Sequence, residues 1–240
     1  MKLSLALQLL ERAQHAWPAD AEPGSPAWLQ SVVDGLCALS SRDPLTDLPN
    51  RRQLELTLDR EIDRVARSGE PALVLMADID HFKRINDTHG HAAGDRVIQA
   101  VGRVLQDTVR PMDTVARVGG EEFAIVLPNC APAFGQAVAE RIRRRVEREG
   151  VAVEAGSAGP AQVLRVTISV GGAFAPQWVR SSARLWLDRA DHQLYRAKSS
   201  GRNCACLETP PVLVVSSEEK GLLFASPALA DADNENVDSP

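Results

Sequence analysis

Thr114-Val115-Ala116-Arg117-Val118-Gly119-Gly120-Glu121-Glu122-Phe123-Ala124-Ile125-Val126-Leu127 holds two mostly apolar, β-branched runs joined at a glycine pair. Thr114–Val118 and Glu122–Leu127 read as short strands, and the glycines between them predict a tight hairpin. Glycine admits positive φ and lets backbone approach a ligand with no Cβ in the way. Two acids, Glu121 and Glu122, follow at once. An ordinary hairpin with solvated glutamates has the same pattern, so the flanking sequence must decide between them.

On the N-terminal side, Ala72–Met76 is a continuous apolar run that reads as a buried strand. A helix is expected from about Gly94 to Thr108, with Val97, Ile98, Val101, Val104 and Leu105 on one face. On the C-terminal side, residues 132–149 read as a helix that buries Phe134, Val138, Ile142 and Val146. Leu164–Val170 is a further strand, Arg184–Lys198 a long helix, and Asn203–Leu207 an edge strand. Asn50 or Asp47 is placed to cap a helix that runs to about Arg67. Strand, helix, strand, strand, helix, strand predicts an α+β sandwich of ferredoxin-like type, with helices against one antiparallel sheet.

Three segments follow: a helical and linker segment at 1–42, a domain at 43–207 and a tail at 208–240. Residues 1–17 and Trp28–Leu39 read as short helices, the latter with Leu29, Val32, Val33 and Leu36 at helical spacing, and the Pro- and Gly-rich residues 18–26 link them. They are too few for a sensory domain and suit dimerisation or the docking of a regulatory protein. Met1-Lys2, the apolar Leu3–Leu10 and Ala19-Asp20-Ala21 mimic an export signal, but Glu11 and Arg12 break the run early, so an amphipathic helix is expected. The tail has one strand-like run, Val212–Val215, and residues 231–240 carry four acids and no basic residue, which predicts disorder.

Composition narrows the function. The chain of 240 residues has a net charge of -5, which argues against a general nucleic-acid binder. No apolar run approaches the roughly 18 residues that span a bilayer. Cys37 and Cys130 stand apart, and Cys204-x-Cys206 lacks the paired spacing of a zinc site, so reduced thiols in a cytoplasmic protein are expected.

Asp78-Ile79-Asp80-His81-Phe82-Lys83 lies where the buried strand ends. Carboxylates there cost desolvation unless paired. Magnesium, a hard ion held by one or two carboxylates plus substrate phosphates, is a natural partner, although a helix cap is the simpler use of a lone Asp-x-Asp. If this strand neighbours the hairpin, Glu121 or Glu122 comes beside Asp78, and three carboxylates together repel without a cation.

With these segments in order, residues 43–207 resemble the GGDEF family of diguanylate cyclases. Gly119-Gly120-Glu121-Glu122-Phe123 is the GGEEF form of its signature. Asp43-Pro44-Leu45-Thr46-Asp47-Leu48-Pro49-Asn50-Arg51 resembles the family's lead-in motif, with Asp47 where glycine is common. Asp78 to Asp87, Gly90-His91-Ala92-Ala93-Gly94-Asp95, Ile168-Ser169-Val170-Gly171 and Ala197-Lys198-Ser199-Ser200-Gly201-Arg202-Asn203 also match.

The resemblance implies a nucleotidyl-cyclase-type antiparallel sheet flanked by helices, and the condensation of two GTP into cyclic di-GMP. It implies that Asp78, the Ile79 carbonyl and Glu122 hold magnesium, with manganese as an alternative and Glu121 close enough to share. Glu121 is also the candidate base or positioning group for the ribose 3′-hydroxyl, and which glutamate is ligand and which is base stays open. Asn86 and Asp95 would read guanine; Lys83, Lys198 and Arg202 would neutralise the triphosphate. Phe82, His91, Arg117, Gly119 and Gly120 complete the substrate set. Each GTP must be nucleophile and electrophile, so two domains must meet about a two-fold axis. Arg110-Pro111-Met112-Asp113 matches the family's inhibitory product site, with Arg141 as its supporting arginine; the neighbouring Arg143, Arg144, Arg145 and Arg148 read as a solvated helix face. The rivals are a silent cyclic di-GMP receptor, a cyclase of altered base specificity, and an assembly scaffold.

Overall fold

A computed structural model describes residues 3–12, 15–18, 22–153, 162–175 and 181–209. The apolar run of the sequence becomes β1 (Ala72–Ile79), whose eight residues are all buried. It lies mid-sheet, antiparallel to β3 (Glu122–Pro128) on one side and β6 (Ile168–Phe174) on the other. A strand paired on both edges and covered on both faces has no polar face to show, so its sequence does not alternate. Leu73, Leu75, Ala77 and Ile79 pack under α5 (His91–Thr108) and α6 (Pro132–Arg148). Ala72, Val74 and Met76 pack under α3 (Arg51–Ser68) and α7 (Ala183–Ser199).

β2 (Thr114–Gly119) pairs with β3 as the expected hairpin. The sheet order is β2-β3-β1-β6-β7, with β7 (Ala205–Leu207) at the edge. Elements β1, α5, β2, β3, α6 and β6 therefore follow the ferredoxin-like path expected from the sequence. One detail differs: β7 runs parallel to β6, so the sheet is mixed. α7 crosses β6 at backbone contact, since a Cβ on Gly171 would stand 2.0 Å from the Leu194 amide nitrogen and 2.4 Å from the Ala190 carbonyl.

Several expectations need correction. The expected single strand Leu164–Val170 is two strands, β5 (Gln162–Arg165) and β6, because the first pairs with β4 (Gly150–Val153) and the second with β1. The helix expected from Gly94 begins at His91, and a separate α4 (Phe82–His89) precedes it. In α6 the buried stripe is Gly135, Ala139, Ile142, Arg143 and Val146. Phe134 falls beside that stripe and is 65 % exposed, not core, and Arg143 is buried rather than solvated. The first helix ends at Arg12, so α1 is Leu3–Arg12, and residues 15–18 are not helical. α2 (Pro26–Ser41) buries Val32 but leaves Leu29 and Val33 exposed. Leu10 of α1 is buried, His15 Nε2 lies 3.0 Å from Ser31 Oγ, and Trp17 stacks on Trp28.

Asn50 is the cap of α3: its side chain accepts from the Gln53 amide at 3.1 Å. Asp47 instead takes a left-handed turn at φ 57°, the conformation that suits the family's glycine and that aspartate tolerates better than most residues. None of the described helices is long and apolar enough to cross a membrane. All four cysteines are free. Val212–Val215 and the acidic end, 231–240, lie outside the described residues.

Candidate active site

The register of three strands assembles the site. Asp78, the last but one residue of β1, is opposite Glu122 on β3 and Ser169 on β6. The ladder is irregular between Arg117 and Gly119, Gly120 takes φ 36°, and the tip folds over the end of β1, where the Ile79 amide donates to the Glu121 carbonyl at 3.3 Å. Asp78 is 8 % exposed; Glu121 and Glu122 are half-buried. Lys198, near the end of α7, sets its Nζ 2.7 Å from Asp78 Oδ2.

Burial pushes the Asp78 carboxyl above its ordinary range; Lys198 opposes this, and Glu121 and Asp80 add to it. Burial, then the repulsion of Asp78, raises Glu122 in the same way. These carboxylates are short of positive charge, and the Lys198 ammonium supplies part of it. Among the described residues no three His, Cys, Asp or Glu side chains form a metal-binding group. The arrangement that fits a hard cation is smaller: the cross-strand pair Asp78 and Glu122, with backbone oxygen from the strand end.

Asp80, the second acid of the Asp-x-Asp, has a different task. It is 5 % exposed and accepts from Ser169 Oγ at 2.6 Å, Thr167 Oγ1 at 2.7 Å and the Asn203 amide at 3.0 Å. Its carboxylate ties loops together, and those three donors occupy it.

His81 turns the chain at φ 58°, and α4 carries Phe82, which is buried, and Lys83, which is exposed. Asn86 projects from α4 against α5. Its Oδ1 is buried with no hydrogen-bond partner among the described residues. A Cβ on Gly94 would stand 1.9 Å from that oxygen, so only glycine leaves Asn86 its place. Asp95, next in the chain, is exposed, as are His91 and Arg202. An unsatisfied buried acceptor is costly unless a ligand donates to it.

Arg117, expected among the substrate residues, is engaged elsewhere. Its Nη1 bonds both oxygens of Asp43 at 3.0 Å, and its Nε and Nη2 bond the Gly120 carbonyl at 3.0 and 2.8 Å. Asp43 also accepts from the Thr46 amide and hydroxyl. Burial works against the Asp43 anion, but the bonds from Thr46 and Arg117 hold its carboxyl below the ordinary range. Arg117 thus braces the hairpin tip to the lead-in segment. The sequence showed both partners but not that they meet, 74 residues apart.

At the other end of the hairpin, Arg110, Asp113 and Arg141 line one small cavity with Leu127, Cys130, Phe134 and Val138. Asp113 Oδ2 accepts from the Arg110 amide at 2.8 Å. Burial raises the Asp113 carboxyl despite the two arginines. Neither guanidinium has an ion-pair partner among the described residues.

The chain is 39 % identical over 176 residues to the response regulator PleD of Caulobacter vibrioides, covering 73 % of this chain and 38 % of that protein. It is 37 % identical over 171 residues to diguanylate cyclase A of Treponema denticola, covering 70 % of this chain and 44 % of that one. It therefore spans about two fifths of the length of these curated relatives. The crystal structure of diguanylate cyclase SiaD with its activator SiaC, from Pseudomonas aeruginosa, superposes with a TM-score of 0.66 at 33 % identity, over 86 % of this chain and 72 % of that one. The coiled coil and GGDEF domain of DgcB from Caulobacter crescentus, in complex with c-di-GMP, gives 0.68 at 28 % identity, over 86 % and 98 %. Residues 40–204 match the family described as diguanylate cyclase, GGDEF domain, and the chain belongs to that family.

Proposed function

We propose that the chain condenses two GTP into cyclic di-GMP and two pyrophosphates, as a magnesium-dependent homodimer restrained by its product. The observation that carries this reading is the cross-strand pair Asp78 and Glu122 beside the glycine tip, both raised by burial, Asp78 further by Glu121 and Asp80 and Glu122 further by Asp78. Asp78, the Ile79 carbonyl and Glu122 are the residues that would hold magnesium or manganese, with Glu121 in reach. The bound ion would supply charge to the triphosphate during displacement at the α-phosphate.

The chain's own groups do the rest. Glu121 or Glu122 orients or deprotonates the 3′-hydroxyl. Lys198, already fixed at Asp78, and Arg202 offer positive charge to the phosphates. The unpartnered Asn86 Oδ1 supports guanine reading, since guanine brings N–H donors, with Asp95 as the second acceptor. The product has two equivalent linkages, so each domain supplies one GTP and two domains face each other. Segment 1–42 serves that pairing or a regulatory partner; the activator bound to SiaD is a precedent in a similar chain. Arg110, Asp113 and Arg141 take cyclic di-GMP, their guanidiniums, without an ion-pair partner among the described residues, suiting its phosphates and guanine edges. The use of GTP supports the cytoplasmic location expected from the sequence.

The test is mass spectrometry of the products after incubation of the purified chain with GTP and magnesium. Cyclic di-GMP and pyrophosphate are expected, with little product from ATP. Cyclic di-GMP binding without any turnover, across metals and protein concentrations, would favour a silent receptor.

A further inference from the structure

Asn203 follows Arg202 in the turn after α7, and both residues take left-handed backbone, at φ 64° for Arg202 and 46° for Asn203. Two successive side-chain-bearing residues in this region persist only where their surroundings over-determine them. The surroundings are on hand. The Asn203 amide donates to Asp80 Oδ2 at 3.0 Å. Its side-chain Oδ1 accepts from Arg143 Nη1, and its Nδ2 donates to Glu147 Oε1 at 2.7 Å. Arg143 is 8 % exposed and spans Glu140 and Glu147 on its own helix, so its guanidinium is fixed before it meets Asn203. The Asn203 amide group, then Arg143, also hold the Glu147 carboxyl below its ordinary range.

Asn203 is therefore a pin between α6 and Asp80, and the element it pins is the end of α7. That end carries Lys198, whose ammonium meets Asp78, and leads into Arg202. The Arg202 amide bonds the Ala197 carbonyl at 3.1 Å, so the turn is short and has little slack.

The geometry points to Asn203 as a positioning residue that, through Arg143 and Glu147, sets Lys198 and Arg202 for the triphosphate. This rests on the reading of the site given under Proposed function. Asn203 touches none of the carboxylates assigned there to the ion; it acts through the two cations that precede it in the chain. Neither half of the pin is visible in the motif alone, since Asn203 closes a glycine-containing turn and Arg143 stands in an arginine-rich helix.

The experiment is equilibrium binding of a non-hydrolysable GTP analogue with magnesium, alongside KM and kcat for GTP and a thermal melt, on the full chain. Asn203→Gly keeps the left-handed backbone and the bond to Asp80 but removes both side-chain bonds. It is expected to weaken analogue binding and raise KM about tenfold, with a smaller change in kcat and a melting temperature near the parent's. Glu147→Ala, at a 41 % exposed side chain, removes one of the two bonds together with the Glu147 ion pair to Arg143, which keeps Glu140, and should weaken binding about threefold. Glu147→Gln, which keeps an acceptor, should restore it. In the double variant Asn203→Gly with Glu147→Ala, binding should be no weaker than in Asn203→Gly alone, because Glu147 reaches the turn only through the Asn203 side chain, directly and by way of Arg143. Multiplying effects, or loss of kcat at unchanged KM in step with the melting temperature, would overturn the inference. Equal analogue binding by parent and Asn203→Gly would overturn it while leaving the cyclase reading intact; a parent that binds no GTP analogue would overturn both.

Discussion

At the tip of the β2–β3 hairpin, two glutamates stand beside Asp78 with one lysine to offset them; at its base, two arginines stand about Asp113 with no ion-pair partner among the described residues. The two ends have opposite needs. The tip is short of cation, because burial and like charge raise both Asp78 and Glu122. The base is short of anion, because Asp113 is itself raised by burial and is satisfied by a backbone amide. Seven residues of β3 separate them, roughly 20 Å at about 3.3 Å per residue. One small ligand cannot touch both. On the proposed reading, a product held at the base would act on the tip by moving or immobilising domains, not by competing for the GTP pocket.

The largest effect should come from deleting an acid at the tip. Asp78→Ala is expected to lower turnover on the order of 10³-fold, since several kcal/mol of charge stabilisation goes with a lost ligand. Its affinity for cyclic di-GMP, measured by calorimetry, should stay at the parent's value. A variant that lost product binding as well would break the separation of the two ends. Next in size is the base. Arg110→Ala removes a charge-assisted contact of about 1.5–3 kcal/mol, a loss of roughly 10- to 100-fold in affinity. Its progress curve, with pyrophosphate removed, should continue past the point where the parent's flattens; two curves that level off together would sink the inhibitory role.

A smaller effect tests the brace at the tip. Asp43→Asn should cost about 2 kcal/mol of stability at neutral pH, since it weakens a part-buried, charge-assisted pair. The Asp43 carboxyl is held below its ordinary range in the folded chain, so the folded state binds fewer protons than the unfolded one as pH falls. Its contribution is fully present above the unfolded value and lost as pH drops through the folded one. Urea melts of parent and variant should differ by a constant amount above the ordinary carboxylate range and converge below it. A difference that grew on acidification would contradict the assignment. The smallest expected effect is Phe134→Ala, within about 0.5 kcal/mol of the parent in the same melts, because the ring is 65 % exposed. A loss of several kcal/mol would return Phe134 to the core.

The path of the chain was legible because its signals are local. The unbroken apolar run of β1, the glycine pair and the periodic face of α5 each identify one element. The meeting of Asp78 and Glu122 was readable too, since it needs only that two recognised strands be neighbours. What stayed hidden depends on contacts between distant segments. Phe134 has the spacing of a core residue, yet Gly135 takes the buried place against Phe174 and turns the ring outward. Arg143 looks like one more arginine on a polar face until Glu140, Glu147 and Asn203 are seen around it. Asp80 repeats the chemistry of Asp78 two residues away, and only its three donors show that it ties loops together.

The bond from Arg117 to Asp43 also bears on how such chains can be recombined. Counted by helices, the domain starts with α3 at Arg51, and a fusion junction anywhere between 43 and 50 would spare every helix and strand. Counted by forces, it starts earlier. Asp43 holds Arg117, Arg117 holds the Gly120 carbonyl, and the Arg117 amide is itself bonded to the Pro49 carbonyl at 2.9 Å. Residues 43–49 are thus the outer half of a clasp whose inner half is the glycine turn of the hairpin. Grafting a different input segment after residue 43 would leave a domain with all its regular structure and a loose tip, whereas a graft ending at Arg42 would carry the clasp across intact.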